Sequence, residues 1–73
     1  MNFPADQNRV IQSLTYREKE VLRLRAKGYS SKKIAATLNI ETTTVRTHLK
    51  HIYSKLGVSS QIELIQFVYK MHI

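Results

Sequence analysis

Two helical segments lie so close together in this chain that they can pack in only a few ways. Ser30 is a typical N-cap, and the helix that it begins is predicted to end at Asn39, which tolerates the left-handed conformation. The next helix is predicted from about Thr42 to Leu56 and stops at Gly57. Because a turn of about four residues cannot bring the helices antiparallel, they are expected to cross at ~90–120° as a helix-turn-helix.

Single positions within residues 31–50, "SKKIAATLNIETTTVRTHLK", support the same geometry. Ala35 is small and falls where the two helices are expected to approach most closely. Aliphatic residues occupy the positions that should face inward, namely Ile34, Leu38, Ile40 and Val45. These positions agree for separate physical reasons, so together they are more specific than any single motif.

Capping signals predict one helix on each side of this pair. Thr15 stands three residues before Glu18, the spacing of a capping box, and Gly28 ends that helix. Ser59 or Ser60 begins a last helix that runs toward the C-terminus. The predicted fold is therefore all-α, a four-helix bundle-like domain over residues 14–73 that contains the helix-turn-helix.

Residues 1–13, "MNFPADQNRVIQS", hold the only proline and show weak periodicity. They are predicted to be a flexible leader or the end of a linker, from which Val10 and Ile11 can still dock on the domain.

The predicted helix over residues 42–56 has an outer face without acids. Its apolar stripe would pack inward, which turns toward solvent Thr43, Arg46, Thr47, Lys50, His51 and Ser54. In a helix-turn-helix this face enters the major groove of DNA. Base contacts are predicted for Arg46, Thr47 and Lys50, and phosphate contacts for Ser30, Ser31, Lys32, Thr43, Thr44, His51 and Ser54.

The charge balance also favours a polyanionic partner. The net charge is +7 and the sequence pI is about 10.1. Cysteine is absent, and the most apolar segment, "IELIQFVYKMHI", is interrupted by Glu63, Gln66 and Lys70. We expect a soluble, intracellular protein without a membrane partner, a metal, a cofactor or an enzymatic activity.

The motifs "LTYREKEVL", "GYSSKKIA" and "TVRTHLKHIYSKLGV" together resemble the LuxR-type helix-turn-helix domain of bacterial transcription regulators, also called the GerE or FixJ type. The resemblance runs from Leu14 to about Lys70. It implies sequence-specific binding of double-stranded DNA in the bacterial cytoplasm and nucleoid, as a homodimer that pairs through the last helix, with RNA polymerase as a further candidate partner. The chain is then expected to be either a complete short regulator or an output domain excised from a longer one. Gln61 replaces an arginine usual in the family, and an Arg25–Glu18 pair is predicted to substitute for the lost contact.

One face of the last helix is predicted to pair with a second copy. If Leu64 and Val68 face the core, helical spacing turns another set to solvent, namely Ile62, Gln66, Tyr69 and Ile73. Their apolar groups have no internal partner in so small a domain. We therefore predict a homodimer that assembles on DNA.

The same features have other interpretations, some of which assign no specific function. The same helices could form a protein-interaction module, or the basic chain could lie on a membrane surface, although sharply turned helices are not needed there. His48 and His51 could bind a metal in principle, but no third ligand has suitable spacing. Lys27 and Lys55 are interpreted as C-terminal helix charges.

Overall fold

The computed structural model describes residues 5–71 and the side chains of residues 9–70. The chain forms five helices over this range, with no strand among the described residues. They are α1 (Ala5–Ser13), α2 (Tyr16–Ala26), α3 (Ser31–Leu38), α4 (Thr42–Leu56) and α5 (Gln61–Met71). The all-α prediction is confirmed, and none of these helices is long and apolar enough to cross a bilayer.

The first helix, α1, lies in the segment for which the sequence predicted a leader or linker. Its half-buried Val10 and Ile11 pack against the core, and the helix contacts α4. The weak periodicity of residues 5–13 did not predict this helix, because tertiary packing stabilises it. The division of the chain between residues 13 and 14 stays a prediction.

Reciprocal capping fixes the start of α2. The Thr15 hydroxyl accepts a hydrogen bond from the Glu18 N–H at 3.1 Å, and the Glu18 carboxylate accepts one from the Thr15 N–H at 2.9 Å. These two bonds satisfy N–H groups that have no partner within the helix. The predicted capping box is therefore present.

The predicted sharp turn joins the end of α3 to the start of α4, and caps define the boundaries of both helices. The Ser30 hydroxyl accepts from the Lys33 N–H at 3.1 Å, and Asn39 adopts the left-handed conformation at φ 58°. Glu41 precedes α4 without a side-chain capping bond, and Gly57 ends α4 at φ 69°. The turn between α3 and α4 thus uses a residue that adopts positive φ more easily than most.

A small core joins α2 through α5. Its buried side chains are Leu14, Val21, Leu22, Ile34, Ala35, Val45, Leu49, Ile52, Leu56, Leu64 and Val68. Ala35 is only 5% exposed, as expected for the small residue at the helix crossing. Leu38 and Ile40 pack against the edge of this core. One apolar stripe from each helix therefore fixes the orientation of α4.

The predicted Arg25–Glu18 pair is wrong. The Arg25 Nη1 instead donates a hydrogen bond to the Tyr29 carbonyl at 3.0 Å. Seven residues along a helix correspond to about 10.5 Å, a separation that these two side chains do not close. Lys55 of α4 reaches Glu18, with 2.9 Å between Nζ and Oε1. Lys55 is therefore a tertiary ion-pair partner as well as a helix-end charge.

Candidate nucleic-acid interface

The two sides of α4 differ sharply in burial and chemistry. Its buried side consists of Val45, Leu49, Ile52 and Leu56. The other side is exposed and is hereafter called the outer face, comprising Thr43, Thr44, Arg46, Thr47, Lys50, His51 and Ser54. Every predicted contact residue of this helix lies on that one surface. No acidic side chain belongs to it.

Arg46 and Lys50 dominate the charge of the outer face. They are four residues apart, so they lie one turn apart on the same side of α4. Neither makes an ion pair with another residue in the part of the chain that the structure describes. Like charges at this spacing repel each other, and an anion lying along the face would relieve that repulsion. The face is thus suited to a polyanion.

The Thr47 hydroxyl is already engaged in a hydrogen bond within α4. It donates to the Thr43 carbonyl one turn earlier, at 3.1 Å. While that bond is present, the hydroxyl proton is not available to an outside acceptor. The γ-methyl group and the oxygen lone pairs remain, and a methyl group is suited to contact with thymine.

The start of α3 supplies the second cluster of predicted contact residues. Ser30 and Lys32 are exposed there, and Ser31 is partly buried. The Ser30 oxygen already accepts the Lys33 N–H, which leaves its hydroxyl proton available for donation. The Lys33 ammonium lies 4.3 Å from the centre of the Tyr29 ring, a cation–π contact. Lys32 is therefore the less constrained of the two neighbouring lysines.

Glu18 lies behind the outer face and has the most unusual environment of the described ionisable groups. Its side chain is buried, yet Oε1 accepts hydrogen bonds from the Thr15 N–H and from Lys55 Nζ, each at 2.9 Å. Burial alone raises the pKa of Glu18, but the Thr15 hydrogen bond, Lys55 and the charge of His48 together lower that pKa below its usual value. The carboxyl group is ionised at neutral pH.

The two histidines of α4 do not form a metal cluster in this structure. Among the described residues, no three His, Cys, Asp or Glu side chains come together as metal ligands. His51 lies beside Glu18, with 3.9 Å between its Nδ1 and Oε2. This position makes His51 part of the surface around the buried carboxylate.

The exposed face of α5 contains the residues predicted for pairing. Ile62 is 70% exposed, Tyr69 is 79% exposed and Gln66 is also exposed. Ile65, which is not among the residues predicted for pairing, lies on the same side at 37% exposure. Ile73, predicted to extend this face, lies outside the described residues. Leu64 and Val68 are buried, as predicted.

A family model described as bacterial regulatory proteins of the luxR family, GerE, matches residues 12–68. This match includes α2, α3 and α4 in full and most of α5. It therefore covers the helix-turn-helix and the outer face.

Several named proteins are similar to the chain. It is 46% identical over 57 residues to "Oxygen regulatory protein NreC" of Staphylococcus aureus (strain JH9), a match over 78% of this chain and 26% of NreC. It is 47% identical over 53 residues to Mb0914c of Mycobacterium bovis, provisionally named an HTH-type transcriptional regulator. That match covers 73% of this chain and 6% of Mb0914c.

A solved structure has the same fold. The chain superimposes on the response regulator StyR with a TM-score of 0.85 and 39% sequence identity, over 88% of this chain and 32% of StyR. The chain thus spans about a third or less of each of these three proteins.

Proposed function

The chain belongs to the luxR family of bacterial regulatory proteins, and from this premise we propose that it is a sequence-specific DNA-binding domain of a transcription regulator. The observation that carries the proposal is the outer face of α4, which is exposed, basic and free of acids. A helix of this kind fits the major groove when the preceding helix lies across the phosphate backbone. DNA binding in the bacterial nucleoid is the corresponding proposal for location.

Three residues of the outer face are proposed to contact bases. The Arg46 guanidinium can donate two hydrogen bonds to O6 and N7 of guanine. Lys50 can reach guanine or a nearby phosphate, and Thr47 offers its methyl group to thymine. The intrahelical bond of the Thr47 hydroxyl supports this apolar role.

Phosphate contacts are proposed around the base-reading residues. They come from Ser30, Ser31, Lys32, Thr43, Thr44, His51 and Ser54, at the start of α3 and along α4. Unpaired backbone N–H groups in the first turns of both helices add donors for phosphate oxygens. These contacts would set the register of α4 on the duplex without reading its sequence.

Arg46→Ala separates base reading from positioning. We expect a loss of about 1–3 kcal/mol on a duplex selected from a random library, because a bidentate guanine contact disappears. Preference at one base pair should relax as well. The measurement is fluorescence anisotropy with the selected duplex and with a scrambled duplex of equal length.

Lys32→Ala is the matched control for this experiment. It removes one positive charge from the proposed phosphate contacts, so affinity for the two duplexes should fall by similar factors. An equal loss on both duplexes for Arg46→Ala would show that Arg46 does not read a base.

Pairing through α5 is the second part of the proposal. The exposed Ile62, Ile65 and Tyr69 offer an apolar surface that a second copy can cover. One helix face is smaller than the ~1,200 Å² buried in stable complexes, so the free domain is expected to be monomeric at micromolar concentration. DNA would align two copies on an inverted repeat whose half-site centres are ~10 base pairs apart.

Ile62→Glu and Tyr69→Glu test this arrangement on an inverted repeat. Each variant should lose cooperativity while its affinity for a single half-site is retained, because the change lies on α5, away from the outer face. Inserting about five base pairs between half-sites should have the same effect, since it rotates one site by about half a duplex turn. Unchanged cooperativity in all three cases would exclude pairing through α5.

A protein-interaction module is the alternative outcome of these measurements. It would bind a protein with little dependence on salt and would show no duplex preference. RNA polymerase is proposed only as a further partner of the DNA-bound regulator.

A further inference from the structure

Glu18 is an acid at a site where a DNA-binding surface would be expected to avoid one. It is the one buried charged side chain in the described part of the chain, and it belongs to α2. Its carboxylate nevertheless faces two residues of α4, Lys55 and His51, that are one helical turn apart. This carboxylate therefore connects the capped start of α2 to the proposed DNA-binding helix.

Lys55 extends that connection to α1. Its Nζ donates to Glu18 Oε1 at 2.9 Å and to the carbonyl of Ser13, the last residue of α1, at 3.4 Å. Glu18 Oε1 also accepts the Thr15 N–H. A single ammonium group thus joins the end of α1, the start of α2 and the last turns of α4. Contacts to two other helices restrict rotation of α4 about its own axis.

His51 lies close to the other oxygen of the same carboxylate, without a hydrogen bond to it. Its Nδ1 is 3.9 Å from Glu18 Oε2, while 58% of its side chain remains exposed. A histidine whose Nδ1 faces a carboxylate keeps Nε2 on the opposite edge of the ring, where a protonated nitrogen can donate to an anion. Glu18 can therefore orient the phosphate contact proposed for His51.

We propose that Glu18 is a positioning residue for DNA binding, an acid that strengthens binding to a polyanion because it holds Lys55 and His51 of α4 in place. The inference rests on the proposed function, since it requires His51 to face a phosphate. It also predicts that removing this acid changes DNA affinity in the direction opposite to simple electrostatics. Removing an acid near phosphates should raise affinity through simple electrostatics, whereas losing a positioning residue should lower it.

Glu18→Gln and Glu41→Gln make a matched pair for the test. Both remove one negative charge close to α4, but Glu41 is exposed and its side chain makes no capping bond. With the selected duplex, we expect Glu18→Gln to bind about tenfold more weakly because a charge-assisted phosphate contact is lost. Glu41→Gln should bind equally or more tightly.

The salt dependence distinguishes positioning from loss of stability. If Glu18→Gln acts only by losing the His51 phosphate contact, its log–log salt slope should match the slope of a His51→Gln variant. Affinities are measured below the melting transition of each variant, so that only folded protein is compared. Glu18→Asp provides a second variant, because it keeps the charge but withdraws the carboxylate by one methylene; it should also bind more weakly.

Substitutions at Lys55 test the same contact from the side of α4. Lys55→Arg keeps a cation that can reach Glu18 and should retain affinity, whereas Lys55→Met should bind more weakly. The Glu18→Gln/Lys55→Met double variant should be little worse than either single variant, because both remove one shared interaction.

The outcomes separate this inference from the proposed function. Glu18→Gln binding as tightly as the unchanged protein, or more tightly, would overturn the positioning role. A salt slope that differs from the slope of His51→Gln, in a folded but weaker Glu18→Gln variant, would also overturn it. If the unchanged protein binds no duplex in a salt-dependent way, the proposed function fails and the positioning role fails with it.

Discussion

Raising the monovalent salt concentration from about 50 to 200 mM is expected to weaken binding to a single half-site by roughly 250- to 1,000-fold. The proposed contacts at the start of α3 and along α4 correspond to about four to six phosphates per monomer, which gives a log–log slope of about −4 to −5. Each neutralised phosphate releases condensed counterions, and that release is less favourable at high salt. Anisotropy titrations across this salt range measure the slope.

One lysine variant and one arginine variant serve as comparisons for the salt slope. Lys32→Met should make the slope shallower by about 1, because Lys32 is a proposed phosphate contact. Arg23→Met removes the same charge from an exposed position of α2 outside the proposed contacts and should leave the slope nearly unchanged. A flat salt response of the unchanged protein would show that its partner is not a polyanion.

Ile52→Ala is expected to lower the free energy of unfolding by about 2–5 kcal/mol. Ile52 is fully buried on the inner stripe of α4, so truncation removes apolar contacts and leaves a cavity. For 73 residues, a total stability of roughly 4–11 kcal/mol is expected. The variant therefore loses a large share of its stability, which denaturant unfolding followed by circular dichroism will measure.

Ile62→Ala supplies the matched control on α5. The chemical change is identical, but Ile62 is 70% exposed. The free energy of unfolding should therefore change by no more than about 0.5 kcal/mol. Equal destabilisation by the two variants would contradict the burial difference between these isoleucines. Ile52→Val should fall between them, at about 0.5–1.5 kcal/mol.

Helix ends and apolar stripes could be predicted because both depend on residues close together in the chain. Thr15 with Glu18, and Ser30 with the N–H three residues later, form caps through bonds that local spacing already indicates. Asn39 and Gly57 end their helices in the left-handed conformation for the same local reason. The outer face followed from these boundaries, since helical periodicity determines which residues lie opposite the buried stripe.

The sequence by itself determined the all-α class, the helix-turn-helix and the side of α4 that faces solvent. Only the tertiary structure decided what docks around that helix. Glu18 and Lys55 are 37 residues apart, so no local spacing reveals their pair, and the predicted Arg25 partner was wrong. Likewise α1 is stabilised by Val10 and Ile11 on a core assembled from distant segments. Periodicity reports which side of a helix is apolar, whereas long-range pairs depend on how completed helices pack.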